Sequence, residues 1–247
     1  MSWFEDWFNT PYYHILYKDR DFVEAENFIT NLTQELQLPN HSKIIDLACG
    51  KGRHSVFLNK LGYHVLGVDL SKESIDFAQK NLSNEDLQFK IHDMRNELFP
   101  EVSSEKVDAV FNLFTSFGYF DDDEDDKKVF KSVGNVLNEN GIFILDFLNE
   151  KFIKNTLIAS TIVTKGGIDF TIKKRIENNY IIKDIIFEDK GKKFHYFEKV
   201  KLNTLEQIEA LADSCGFVTQ EIWGEYNLDL FDRETSPRCI FQFKIQN

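Results

Sequence analysis

The chain has 247 residues and carries 29 Lys and Arg against 41 Asp and Glu, a formal charge of −12. So acidic a surface repels phosphate backbones and argues against a nucleic-acid substrate, and the one basic run, Lys173-Lys174-Arg175, sits among strand formers that send alternate side chains to opposite faces. Three scattered cysteines (Cys49, Cys215, Cys239), no basic-apolar leader and no apolar stretch near the roughly 18 residues of a membrane span leave a cytoplasmic protein, without disulfides or metal, as the expectation.

The opening segment is dense in aromatics: Trp3, Phe4, Trp7, Phe8, Tyr12, Tyr13 and Tyr17. Phe22, Ala25, Ile29, Leu32 and Leu36 then follow at helical spacing, until Pro39-Asn40 breaks the chain. From Lys43 onward short apolar runs alternate with amphipathic helices. Strands are predicted at 44–48, 64–69, 87–92, 107–114 and 142–147. Between them lie a helix over 53–61 stopped by Gly62, a helix capped by Ser71 with core face Ile75, Ala78 and Leu82, and a helix over 124–137 closed by Asn140-Gly141. Parallel neighbours cannot be joined by tight turns, so this alternation implies an α/β, doubly wound, mostly parallel sheet with crossover helices. The acidic run 121–126 reads as the N-terminus of the last of these helices, favourable against its dipole. It lacks the glycine and terminal Glu spacing of a calcium loop.

The pattern changes after residue 154. Four β-rich stretches, 160–165, 168–177, 180–187 and 193–200, are separated by turn signals at 178–179 and 189–192, which predicts an antiparallel insertion. Thr204-Leu205-Glu206-Gln207 is a capping-box start for a further helix that Gly216 closes, and strands at 217–223 and 238–245 complete the chain.

The most informative stretch is Asp46-Leu47-Ala48-Cys49-Gly50-Lys51-Gly52, between the first strand and the first crossover helix. Gly50 and Gly52 allow a sharp turn and close approach to a ligand, beside the unpaired N–H groups of a helix start. Asp69, at the end of the second strand, can accept both hydroxyls of a ribose. A nucleoside-containing ligand follows. The third glycine of a dinucleotide fingerprint is missing, which argues against an NAD-dependent oxidoreductase.

The loop resembles the first motif of class I S-adenosylmethionine-dependent methyltransferases, and three later segments continue the resemblance in order. Asp69-Leu70-Ser71 resembles the second motif, and His92-Asp93-Met94-Arg95 the adenine site. Asn112-Leu113-Phe114-Thr115-Ser116 resembles the segment lining the methionine end. The resemblance implies S-adenosylmethionine as cofactor and a seven-stranded sheet whose last strand is reversed. It implies Asp46, Ala48, Cys49, Gly50, Gly52, Asp69, Leu70, Asp93, Met94, Asn112, Leu113 and Tyr13 as its binding residues. In it Asp69 would hold the ribose, Leu70 the adenine face, Asp93 the adenine amino group and the Met94 N–H the ring. Ala48, where the family often has glycine, is a mild departure.

Tyr12-Tyr13-His14, Tyr17, Arg20-Asp21, Glu24-Ala25 and Phe111, with Ser116-Phe117-Gly118-Tyr119, are similar to the branch of sugar N-methyltransferases and glycine N-methyltransferase-like enzymes. That similarity implies an aromatic N-terminal lid (1–38), a core from 39–154 and 203–247, and an insertion (155–202) that borders the substrate or a dimer partner. The expected activity is methyl transfer to a nitrogen or oxygen of a small metabolite, by a monomer or homodimer. The sulfonium brings the activation, so the protein needs mainly to align the reactants. His14, Tyr17 and Tyr119 are the catalytic candidates, with His195 a second candidate base. A nucleoside-binding module that lost turnover stands as the alternative. Arg175, Arg233 and Arg238 are expected to pair with surface acids in preference to an anionic substrate.

Overall fold

The computed structural model describes residues 3–18 and 22–246. Arg20 and Asp21 of the N-terminal motif therefore lie outside the described residues. In chain order the elements are α1 (Trp3–Phe8), α2 (Pro11–Leu16), α3 (Phe22–Leu36), β1 (Lys43–Leu47), α4 (Arg53–Lys60), β2 (His64–Asp69), α5 (Lys72–Leu82) and β3 (Leu87–Ile91). They continue with β4 (Val107–Asn112), α6 (Asp123–Val136), β5 (Leu137–Leu148), α7 (Glu150–Thr156), β6 (Ser160–Lys165), β7 (Ile168–Glu177), β8 (Tyr180–Asp189) and β9 (Lys192–Lys201). α8 (Leu205–Ser214), β10 (Phe217–Trp223) and β11 (Arg238–Ile245) end the chain.

Seven strands form one sheet in the order β10-β11-β5-β4-β1-β2-β3. All pair in parallel except β11, which runs antiparallel to both neighbours. The central strands are apolar on both faces because helices cover both. The α3 stripe (Ala25, Phe28, Ile29, Leu32) packs with Phe57 and Leu58 of α4 and Ile75 and Ala78 of α5 on one face. Val129, Phe130, Val133 and Val136 of α6 and Ile208 and Ala212 of α8 cover the other. There the phenylalanine excess finds its place: the Phe130 ring meets Phe117, Phe143, Phe217 and Phe243 edge-on, with centroids 5.4–5.7 Å apart.

The caps follow the sequence signals. Ser71 accepts the Ser74 N–H at the start of α5, and Thr204 and Gln207 close a reciprocal capping box on α8. Asp122 caps α6, whose first turn carries Asp123, Glu124, Asp125 and Asp126. One acid of that run does more than complement the dipole: Asp126 is buried against Lys201 Nζ at 2.7 Å, joining α6 to the end of β9.

Strands β6–β9 form a separate antiparallel meander. Its three two-residue turns, Gly166-Gly167, Asn178-Asn179 and Lys190-Gly191, all have both residues at positive φ, the type I′ geometry that matches strand twist. Alternation divides its faces. Phe170, Ile172, Ile185 and Phe187 turn inward and pack on Trp7 and Leu16 of α1 and α2. The N-terminal aromatics thus lie chiefly on the meander.

Four helices depart from expectation. The short helices α1 and α2 are too brief for a periodic signal, and α7 has no buried residue and hence no apolar stripe to read. α6 stops at Val136 because Leu137 already pairs with Val107, with an irregularity in the ladder before Ala109 meets Ile142.

Candidate active site

At the C-terminal ends of β1, β2 and β4 the sheet opens into a cavity of about 580 Å3, bounded above by α1 and α2 and on one side by β9. Its size falls in the roughly 300–1,000 Å3 range of small-molecule sites.

The floor begins with β1. Asp46 is buried and accepts the Ser55 hydroxyl at 2.5 Å. Ser55 occupies the position where a dinucleotide fingerprint would have its third glycine, so this contact replaces close helix-strand packing with a hydrogen bond. Burial pushes the Asp46 carboxyl up to about 6. After β1 the chain turns through Ala48 (φ 60°), Gly50 (φ 56°) and Gly52 (φ 80°). A Cβ on Gly52 would come within 2.7 Å of the Phe89 ring, whereas one on Gly50 would meet nothing within 4 Å. Gly50 therefore borders open space, and Gly52 fits where the helix start meets β3.

β2 ends on Asp69. Its Oδ2 accepts the Gly50 N–H at 2.8 Å and its Oδ1 the Ser71 N–H at 2.7 Å, so two amides fix the carboxylate at the cavity wall. Burial raises its pKa. β3 delivers Asp93, whose carboxylate is gripped by Arg95 through Nε and Nη2 at 2.5–3.1 Å. Burial opposes the charge, but the Arg95 contacts outweigh it and hold Asp93 below the usual carboxylate range. Burial also raises the Cys49 thiol well above its ordinary range, which makes it an inert wall rather than a nucleophile.

The cavity wall brings together Ala48, Cys49, Gly50, Gly52, Asp69, Leu70, Asp93, Met94, Leu113 and Tyr13 with His14, Tyr17 and Tyr119. Asp46 and Asn112 stand one layer behind it, where Asn112 Nδ2 donates to the Leu47 carbonyl at 2.9 Å. Tyr12 is elsewhere: its ring packs on Phe187 and Phe194, and its hydroxyl donates to Asp189 at 2.9 Å. His195 is also outside, exposed on the far face of the meander with Nε2 2.8 Å from Asp184, and is not placed to act as a base here. Arg175 and Arg233 pair with surface acids as expected. Arg238 does not; its partner is the fully buried Asp146.

Several wall residues carry no motif. Trp3, Phe4, Phe8, Phe120 and Glu198 complete the aromatic end. Glu198 Oε1 accepts the Trp7 indole N–H at 2.9 Å and the Tyr17 hydroxyl at 2.6 Å, and Lys183 contacts both Tyr17 and Glu198. The signal for Glu198 was there: it is the one acid in the inward alternation Phe194, Tyr196, Glu198, Val200. The N-terminal helices also touch the cofactor side, since Ser71 Oγ donates to Asn9 Oδ1 at 2.8 Å and His14 Nε2 lies 3.4 Å from Glu73. Among the described residues no group of three or more His, Cys, Asp or Glu side chains could hold a metal ion.

A parallel sheet with one reversed strand slotted between β5 and β10, and with a nucleoside-sized cradle at its strand ends, defines a Rossmann-like methyltransferase. The comparisons agree. A family profile described as a methyltransferase domain matches residues 38–201. YqeM of Bacillus subtilis (strain 168), named as a methyltransferase, is 28% identical over 218 residues, 84% of this chain and 86% of its own. The dTDP-3-amino-3,4,6-trideoxy-alpha-D-glucopyranose N,N-dimethyltransferase of Streptomyces venezuelae is 25% identical and covers 84% of this chain and 88% of its own. An S-adenosylmethionine-dependent methyltransferase from Clostridium acetobutylicum shares the fold, with a TM-score of 0.78 at 22% identity over 96% of both chains. The chain belongs to the methyltransferase-domain family.

Proposed function

We propose that the protein transfers the methyl group of S-adenosylmethionine to a nitrogen or oxygen of a small metabolite held in this cavity. The observation that carries the reading is the pinned Asp69 carboxylate beside the open Gly50 turn, with Asp93 on the neighbouring strand end. That donor set fits an adenosine: two oriented acceptors and a backbone that no side chain obstructs. When bound, the cofactor supplies an activated methyl group on a sulfonium.

The chain's own work is then binding, alignment and exclusion of water. Asp69 holds the ribose hydroxyls, Asp93 faces the adenine amino group, and Leu113, Phe114 and Ser116 border the amino-acid half. The aromatic end, Trp3, Phe8, Tyr13, Tyr17 and Tyr119, encloses the acceptor and keeps the reacting groups dry. Tyr119 donates to the Thr115 carbonyl at 2.6 Å, which fixes its ring against this end. His14 and Tyr17 are the candidates to take up an acceptor proton. In this reading α1 and α2, the first part of the 1–38 segment, act as the lid, while α3 of that segment packs on the sheet; the meander (155–202) is the acceptor-side wall and the remainder the core.

The aromatic and carboxylate-bearing wall favours an amine acceptor over a hydroxyl one, since cationic amines sit well against ring faces. Two experiments test the reading. Titration calorimetry should give affinity for S-adenosylhomocysteine and none for NADH. Incubation with labelled methyl donor and a panel of small amines and alcohols should transfer label to an amine. Absence of affinity for both donor and demethylated product overturns it, and affinity without any transfer favours a sensing module.

A further inference from the structure

Phe114 and Thr115, just past β4, are consecutive non-glycine residues with φ of 64° and 59°. L side chains rarely adopt this conformation, so a pair of them persists only where the surroundings enforce it. What enforces it is a buried cluster that the methyl-transfer reading does not use. Asp146, at the end of β5, is fully buried. Its Oδ2 accepts the Phe114 N–H at 2.7 Å, and its backbone carbonyl accepts the Thr115 N–H at 3.1 Å. Its Oδ1 accepts Arg238 Nε–H at 2.8 Å, and Arg238 Nη2 reaches on to Thr115 Oγ1 at 2.7 Å. The Tyr226 hydroxyl donates to Oδ2 at 3.1 Å. Burial beside Asp146 keeps that hydroxyl protonated and a donor.

The consequence of this bracing lies on the other side of the loop. Leu113, Phe114 and Ser116 line the cavity, while Asp146, Arg238 and Tyr226 stand behind it. Phe114 presents its ring to the Arg53 guanidinium at 4.7 Å, on the helix that follows the glycine loop. The Ser116 hydroxyl turns back to the Leu113 carbonyl at 3.0 Å. A charge pair needed only to join β5 to β11 would be served by the ladder of those two strands. This one instead spends three hydrogen bonds on two loop residues.

We propose that Asp146 and Arg238 are positioning residues that hold the 113–116 loop in the shape that grips the amino-acid half of the methyl donor. The proposal rests on the cofactor reading above, and the two halves of the ligand separate it from that reading. 5′-Methylthioadenosine carries only the adenosine half, which meets Asp69 and Asp93. S-adenosylhomocysteine adds the amino-acid half that the loop would hold. Calorimetry with both ligands on the wild type and on Asp146→Asn, Thr115→Val and Tyr226→Phe is the test. The latter two leave the buried ion pair in place, so they remain informative where Asp146→Asn fails to fold.

The variants should bind S-adenosylhomocysteine about fivefold or more weakly, while 5′-methylthioadenosine affinity stays within about twofold of wild type. A purely structural role would lower both affinities together or neither. Parallel loss, or no loss, in the folded variants overturns the proposal and leaves the cofactor reading intact. If wild-type protein binds neither ligand, the cofactor reading fails and the proposal with it.

Discussion

The Asp69 carboxylate and the Gly50 amide are joined at 2.8 Å, so the end of β2 and the glycine loop are one rigid unit. The second oxygen is tied to Ser71 N–H at 2.7 Å, which also starts α5. Asp69→Ala removes the ribose acceptor and orphans both amides. Hydrogen bonds to a charged group contribute about 1.5–3 kcal/mol each, so losing two should lower affinity for S-adenosylhomocysteine by about a hundredfold or more. Calorimetry checks this, and an unchanged affinity would remove Asp69 from the site.

The same loop contains two residues whose substitutions should act in opposite directions. Ala48 holds φ at 60° without being glycine. Ala48→Gly should raise stability by about 0.5–1 kcal/mol, the left-handed strain relieved less the added freedom of the unfolded chain. Gly52→Ala combines φ 80° with a 2.7 Å approach to Phe89 and should destabilise by about 2 kcal/mol or more. Urea titrations of the two variants read both signs. A destabilised Ala48→Gly would mean that the alanine methyl packs on something that outweighs its backbone strain.

The contrast between these residues shows what the sequence could convey. The glycine loop, Asp69, Asp93 and the strand-helix alternation were readable because each is a local pattern: a turn that needs positive φ, a carboxylate at a strand end, an apolar period. The meander was readable for the same reason, through turn pairs such as Asn178-Asn179 that suit a type I′ hairpin. What escaped were relationships between distant segments. Arg238 and Asp146 lie 92 positions apart, and nothing near Arg238 marks its partner as a buried acid. His195 reads as well as His14 in isolation, yet strand parity sends one to an exposed face and helix α2 sets the other at the cavity.

Asp46 should leave a signature in the pH dependence of stability. Its carboxyl rises from 3.8 to about 6 on folding because burial disfavours the charge. A raised folded pKa means the native state binds the proton more tightly, so this contribution is complete below about pH 4 and is lost as pH rises through about 6. Asp46→Asn cannot ionise and keeps an acceptor for Ser55. Relative to wild type its stability should therefore climb between pH 4 and pH 6, by on the order of 2–3 kcal/mol, and stay level above. Denaturation at several pH values gives the difference directly; a constant difference would show that Asp46 is ionised throughout.

Glu198 should decide whether α1 and α2 behave as a lid. Trp7, Tyr17 and Lys183 all converge on its carboxylate, so Glu198→Ala removes an acceptor that three polar groups share at the seam between the N-terminal helices and the meander. Losing these contacts should loosen the helices without detaching them, because Asn9–Ser71, His14–Glu73 and Tyr12–Asp189 remain, and should leave the seven-stranded sheet intact, since none of the lost contacts lies on it. Hydrogen exchange at residues 4–16 should quicken about tenfold or more, with β1 and β4 amides unchanged. Bound S-adenosylhomocysteine should restore part of that protection if the helices close over the cofactor. Tyr17→Phe removes one of the three donors and should give a smaller effect of the same kind. Faster exchange that the ligand does not slow would make these helices a fixed buttress of the meander and exclude a lid.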